Sequence, residues 1–183
     1  MKRFAIIAAV ALLYVSNLCF AGELTKIPYD PNTDLSKISA DLHVSTQDVL
    51  LHTRCAYVQL DAWAPNVPLK SFNTCVLLIT KDHVVLSTWN EANGNYSALI
   101  DLRYQDISNA SLSIEGAKYQ LQLTYKLGMI VITTSRYKVP PPGDTSESSI
   151  AFELLKSNEV PTSESPGRVE PKMPQFLVVP RFK

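Results

Sequence analysis

The residues of this 183-residue chain with chemistry to offer are its 3 cysteines, its 3 histidines and a scatter of carboxylates. Cys19 lies in the amino-terminal apolar run, which leaves Cys55 and Cys75 as an even pair. In an oxidising compartment such a pair forms a disulfide. Closing its loop removes roughly 3 kcal/mol of unfolded-chain entropy in the chain-entropy picture. The alternative is a reactive Cys55 thiol with His52 as its base. Residues three apart in a strand point to opposite faces, and no neighbouring carboxylate orients the imidazole. The bridge is the expected state.

The other polar side chains do not converge. His43 and His52 are too far apart for a local metal pair and are expected to face solvent. His83 opens a strand after a turn, where surface hydrogen bonding is its expected role. Asp101 and Asp106 flank a bend, and Asp106 is expected to cap the turn before Ile107 rather than serve a carboxylate pair. The chain has no glycine-rich phosphate loop, no G-x-S-x-G elbow and no H-E-x-x-H motif. No catalytic, metal or cofactor residue is assigned, and no cofactor is expected. Trp63, beside a proline-containing loop, is a candidate recognition aromatic or else a lid on the end of the sheet. Trp89 is expected in the core. Asn95-Tyr96-Ser97 and Asn109-Ala110-Ser111 match the glycosylation pattern, which matters only in a eukaryotic secretory pathway.

The amino terminus sets the compartment. Lys2 and Arg3 precede an apolar stretch over residues 4–15, with Cys19 and Ala21 at the two positions a signal peptidase needs small. Residues 1–21 therefore read as a cleavable signal, and the run is short for a bilayer span. Leu18 before Cys19 argues against lipid attachment. The mature chain is expected in the periplasm or outside the cell, with no integral membrane span. An apolar fraction of 46% can furnish a core. The 17 basic residues balance 17 acidic ones, so nothing draws the chain to nucleic acid.

After an irregular start, Leu35, Ile38 and Leu42 repeat at helical spacing and predict a short helix within an extension over residues 22–45. Residues 45–51 read equally as a helical turn or as the first strand. From Arg54 the period becomes two. Strands follow over residues 72–80 and 83–89, and Asn93-Gly94 signals a hairpin because both residues tolerate positive φ. Tyr96, Ala98, Ile100 and Leu102 continue, then Ala110, Leu112 and Ile114 alternate with serines. Tyr119, Leu121, Leu123 and Tyr125 face one way, against Lys118, Gln120, Gln122 and Thr124. Gly128 turns the chain into a last β-branched strand. Antiparallel pairing across Pro65 brings Cys55 opposite Cys75. Asp144 with Glu147 resembles a capping box, and Ile150, Ala151, Leu154 and Leu155 form one helical stripe. Residues 159–183 carry Pro161, Pro166, Pro171, Pro174 and Pro180 and read as an extended tail, with an apolar patch at Phe176, Leu177, Val178 and Val179.

The expected fold is mainly β with a C-terminal α-helix: a seven-stranded antiparallel meander, curled into a barrel or split into a two-sheet sandwich. Leu50-Leu51 with Cys55, the run Cys75-Val-Leu-Leu-Ile-Thr80-Lys-Asp-His-Val-Val-Leu86-Ser, Leu102-Arg-Tyr-Gln-Asp106-Ile107 and Tyr119-Gln-Leu-Gln-Leu123 carry a likeness. On them, residues 46–158 resemble the pleckstrin-homology-like superfold, and within it the GRAM and bacterial PH-type domains. The resemblance implies a non-catalytic module that binds lipid headgroups or proteins. The chain departs from the phosphoinositide-binding pattern, because the first hairpin loop offers only Lys70, with Arg54 nearby on the strand. The expected function is an exported protein-binding module, with contacts at Trp63, Lys70 and residues 176–179. An apolar-ligand or lipid carrier is the second reading, and a hydrolase with an unfamiliar site the third.

Overall fold

The computed structural model describes residues 27–61, 72–134 and 145–169. Helix α1 (Leu35–Asp41) and a 3-10 turn (Thr46–Asp48) precede β1 (Val49–Asp61), β2 (Asn73–Thr80), β3 (His83–Asn90) and β4 (Asn95–Arg103). A second 3-10 turn (Tyr104–Asp106) leads to β5 (Ile107–Glu115), β6 (Lys118–Tyr125), β7 (Gly128–Thr134) and α2 (Ser146–Ser157). The undecided stretch before Arg54 resolves as a turn followed by strand. Ser45 starts that turn by accepting the Gln47 N–H.

All seven strands form one antiparallel sheet in the order β4-β3-β2-β1-β7-β6-β5. β4 and β5 adjoin in sequence yet lie at opposite edges, so the sheet must roll for the chain to pass from one to the other. The packing shows that it does. Cys55, Leu77, Leu86, Leu102, Ile107, Leu123 and Ile132, one from each strand, share a single buried cluster with Ala151 and Leu155 of α2. Of the two expected arrangements, the structure takes the curled one. The sheet is not split in two, because β1 pairs with β7 over residues 55–61. It is not a closed barrel either, because β4 and β5 are its two edges. The seam is bridged by the Tyr104 turn, whose N–H donates to Asp82 O at 2.8 Å and whose hydroxyl donates to Thr80 O.

The hairpin at Asn93-Gly94 forms differently from the two-residue turn its sequence suggests. Only Gly94 has positive φ, and Asn90 organises a four-residue loop by accepting the Ala92 and Asn93 N–H groups on its side chain.

The opposite face of β2–β4 carries a second core. Val76, Leu78, Val85 and Tyr96 are covered by Ile27, Tyr29 and Ile38, with Trp89 at the margin. Arg54 fastens this cover, donating to Ile27 O at 2.9 Å and to Tyr29 O at 2.8 Å. The Tyr96 hydroxyl donates to Pro28 O at 2.7 Å. Residues 27–44 therefore pack along the sheet, which is apolar on both sides in this half. Trp89 meets Tyr96 edge to face with ring centroids 5.0 Å apart.

α2 seals the inner face through Ser148, Ala151 and Leu155, with Phe152 and Leu154 at the border of the cluster. Ile150, expected in the stripe, is 50% exposed. The reason is a rotation of the buried line toward Ser148, whose hydroxyl accepts the Thr134 N–H at 3.0 Å at the end of β7. Thr145 occupies the cap position, Asp144 lies outside the described residues, and the Glu147 carboxylate accepts the Thr53 hydroxyl on β1. Glu159 ends the helix in the left-handed region at φ 63°. Val160 then returns to the inner core.

Candidate functional site

An open sheet exposes unpaired main-chain groups at both edges. Among the described residues, a flanking segment engages each edge, at one residue of β4 and at one residue of β5. On β4 the Tyr96 N–H donates to the Asp41 carboxylate of α1 at 2.9 Å. On β5 the Ala110 N–H donates to Pro161 O at 2.7 Å, and Ala110 O accepts from Ser163 N–H at 3.1 Å. Beyond Tyr96, β4 presents Ala98, Leu99, Asp101 and Arg103 to solvent. The pairing with β3 slips between Ala98 and Ile100, so Leu99 is the extra residue of a β-bulge and stands 44% exposed.

Next to this edge, where the sheet fails to close, lies a shallow depression of about 620 Å³. Leu102, Gln105 and Asp106 line one side, and Tyr125, Lys126 and Leu127 of the β6–β7 turn line the other. Arg103 pairs with Asp106 at 2.9 Å, and this hydrogen bond holds the Asp106 carboxyl below the usual carboxylate range. Asp106 therefore does not cap the turn as its position suggests. His83 Nδ1 lies 2.6 Å from the Asp101 carboxylate, the surface hydrogen-bonding role expected of it. The rim of β4 thus carries mixed charge.

A second polar group sits where the amino-terminal cover meets β1. The Tyr29 hydroxyl and His52 Nδ1 are 2.6 Å apart. Burial pushes the Tyr29 phenol up and the His52 imidazole below its ordinary value of 6.5, so the phenol donates and the neutral imidazole accepts. His52 was expected to face solvent. The cover supplied by Tyr29 leaves it half-buried. It cannot act on Cys55, which is bonded to Cys75 with Cα atoms 4.9 Å apart in directly opposed positions. Arg54 is likewise engaged by main-chain carbonyls, so it does not supply a phosphate site.

Of the contact residues expected from sequence, Trp63, Lys70, Phe176, Leu177, Val178 and Val179 lie outside the described residues. The bridge between Cys55 and Cys75 is present. Sequence reasoning missed Asp41, which closes an edge, and Gln120 and Gln122, which lie on the polar side of β6 yet are each 1% exposed. Polar residues at period two are the signature of a wet face. Here residues 161–169 lie over that face and exclude water. Among the described residues, no helix is long and apolar enough to cross a membrane.

No protein family model matches the chain, and no curated protein matches it. Among solved structures, it is similar to the hSac2 domain from human phosphoinositide phosphatase Sac2, at 10% identity and a TM-score of 0.43, covering 94% of each chain. It is also similar to the Slm1-PH domain in complex with D-myo-inositol-4-phosphate, at 11% identity and 0.37, covering 61% of this chain and 95% of that one. A third likeness is to the linker-DH/PH domains of p115-RhoGEF, at 11% and 0.40, covering 74% and 36%. At scores below 0.5, these likenesses support no statement of function. What stands is the architecture of the chain itself: seven antiparallel strands in one rolled, open sheet with a C-terminal helix, the element order that the pleckstrin-homology-like resemblance implies.

Proposed function

We propose that this chain is an exported, non-enzymatic module that captures a protein partner in the periplasm or outside the cell. The observation that carries the reading is the free part of β4. Past the Asp41 plug, an edge strand with a bulged, exposed Leu99 borders an open apolar depression. Main-chain groups on such an edge can pair with an extended segment of another protein, while the bulge sets where the pairing starts and stops. The Cys55–Cys75 bridge fits an oxidising compartment. Trp63, Lys70 and residues 176–179 belong to the same proposal as further contacts, and so does the narrower GRAM or bacterial PH-type assignment.

The carrier reading has less support. The inside of the roll is filled by side chains such as Leu77, Leu86, Leu121, Leu123 and Ile132, so a small apolar ligand would have to use the open depression. The test is a pull-down from the native envelope or medium with the mature chain as bait, beside a Leu99→Lys variant that charges the edge. A protein captured by the unaltered chain and reduced about tenfold or more by the variant is the expected result, since hot-spot truncations at interfaces are of that size. Equal capture by both removes the edge from the account. A small-molecule mass retained in native mass spectrometry, with no protein captured, replaces the reading with the carrier.

A further inference from the structure

The tail over the β5–β6 face shows what that face can hold. Gln122 Nε2 donates to Gly167 O at 2.7 Å. The Gln120 side chain grips one residue twice, accepting the Val169 N–H at 2.8 Å and donating to Val169 O at 3.1 Å. With the two bonds at Ala110, the segment is held by five main-chain hydrogen bonds at four of its residues. The reading surface is ordered from behind. Gln122 Nε2 also reaches Gln120 Oε1 at 3.2 Å, and the Ser111 hydroxyl donates to Gln122 Oε1 at 3.4 Å.

Between residues 161 and 166 most side chains contribute little, whereas the Arg168 side chain is largely buried, at 19% exposed. Pro161, Thr162, Ser163, Glu164 and Pro166 are exposed. Ser165 Oγ is 3.4 Å from Gln122 Oε1, and the Arg168–Glu115 ion pair is long at 3.8 Å. Main-chain hydrogen bonds replace bonds to water with a small net gain, and fixing the segment opposes them through lost conformational freedom. The tether to α2 helps to seat the segment by giving it a high local concentration. A site that recognises main chain, and whose occupant buries little apolar surface, is exchangeable.

We propose that the outer face of β5–β6, defined by the side chains of Ser111, Gln120 and Gln122 and bordered by the edge main chain of Ala110, is a groove for an extended polypeptide, and that a partner protein inserts such a segment in place of residues 161–169. The groove tolerates varied side chains and selects for an extended course with a free N–H at the position of Val169. This rests on the protein-binding reading but places a second contact on a different part of the sheet from the β4 edge.

The experiment frees the groove and then disables it. Gly167→Ala with Val169→Pro in the mature full chain weakens the tether segment alone: Gly167 sits at φ 115°, and proline removes the N–H that Gln120 accepts. The probe is a synthetic peptide of residues 161–169, titrated while the amide signals of Ala110 and Ser111 and the side-chain amides of Gln120 and Gln122 are followed by NMR. The expected result is binding about tenfold or more tighter to the freed chain than to the unaltered one, because the tether no longer competes. Adding Gln120→Ala and Gln122→Ala to the freed chain should abolish it. Adding Gln120→Glu instead, which keeps the shape and an acceptor but loses the donor, should weaken it. Absence of shifts in the freed chain overturns the proposal, as do shifts that survive both glutamine replacements. Loss of signal dispersion in the freed chain, meaning that residues 161–169 are integral to folding, overturns it too. The titration uses no natural partner, so its failure leaves the β4 capture result intact, and the converse also holds.

Discussion

Replacing Cys55 and Cys75 by alanine, or reducing the bridge, is expected to lower the free energy of unfolding of a chain that starts at Gly22 by about 3 kcal/mol. Two contributions act in the same direction. The bridge closes a loop of sequence separation 20 and so limits the unfolded chain. Both cysteines are also buried in the inner core between β1 and β2, where the alanine pair leaves unfilled volume. The bridge joins the two paired strands of the long first hairpin, whose connection at residues 62–71 lies outside the described residues, so its loss also loosens the register that the other five strands build upon. Urea unfolding with and without reductant measures the difference. In unfolded, unreduced protein no thiol should titrate, and two titratable thiols would refute the bridge.

The second large effect concerns residues 22–44. A chain that starts at Thr46 keeps the whole sheet and α2, yet uncovers Val76, Leu78, Val85 and Tyr96. Fully burying one such side chain is worth roughly 1.5–3 kcal/mol, so uncovering four removes roughly 6–12 kcal/mol, comparable to the roughly 5–15 kcal/mol that holds a typical domain together. It also strips Arg54 of the Ile27 and Tyr29 carbonyls and leaves the Tyr96 N–H without Asp41. The truncated chain is expected to aggregate or to show no cooperative transition. Within the full mature chain, Ile38→Ala should cost about 2–5 kcal/mol, because Ile38 is fully buried against the sheet. A truncated chain that unfolds cooperatively at the unaltered denaturant midpoint would show that the cover contributes nothing.

The strands were legible in the sequence because period two and turn residues report on local geometry. The Lys81-Asp82 reversal, the Gly116 and Gly128 turns and the opposition of Cys55 to Cys75 about Pro65 all follow from that local information. What covers each face did not follow. Val76 and Leu78 lie on the opposite side from Cys75, Leu77 and Ile79, and a continuous apolar run in β2 is the sign of a strand buried on both faces. Its covering partner, residues 27–44, lies far away in the chain and gives only the weak helical repeat of Leu35, Ile38 and Leu42. On β5 and β6 the error ran the other way. Ser111, Ser113, Gln120 and Gln122 looked solvated and are buried, while Ile114 looked buried and is 60% exposed. Alternation tells which residues share a side; it does not tell which side another segment will cover. Asp41 and Glu147 gave no signal for a related reason, since each acts on a group distant in sequence, Tyr96 in one case and Thr53 in the other.

Amide hydrogen exchange of the unliganded protein tests the central proposal, an open sheet whose edges, among the described residues, are each engaged at one residue, with the rest of β4 open to a partner. Alternation along β4 puts the Ala98 N–H on the same free edge as that of Tyr96. Slow exchange at Tyr96 and Ala110 with fast exchange at Ala98 is the predicted pattern. Slow exchange at Ala98 equal to that of Tyr96 would mean that the edge is already occupied, and would contradict the account.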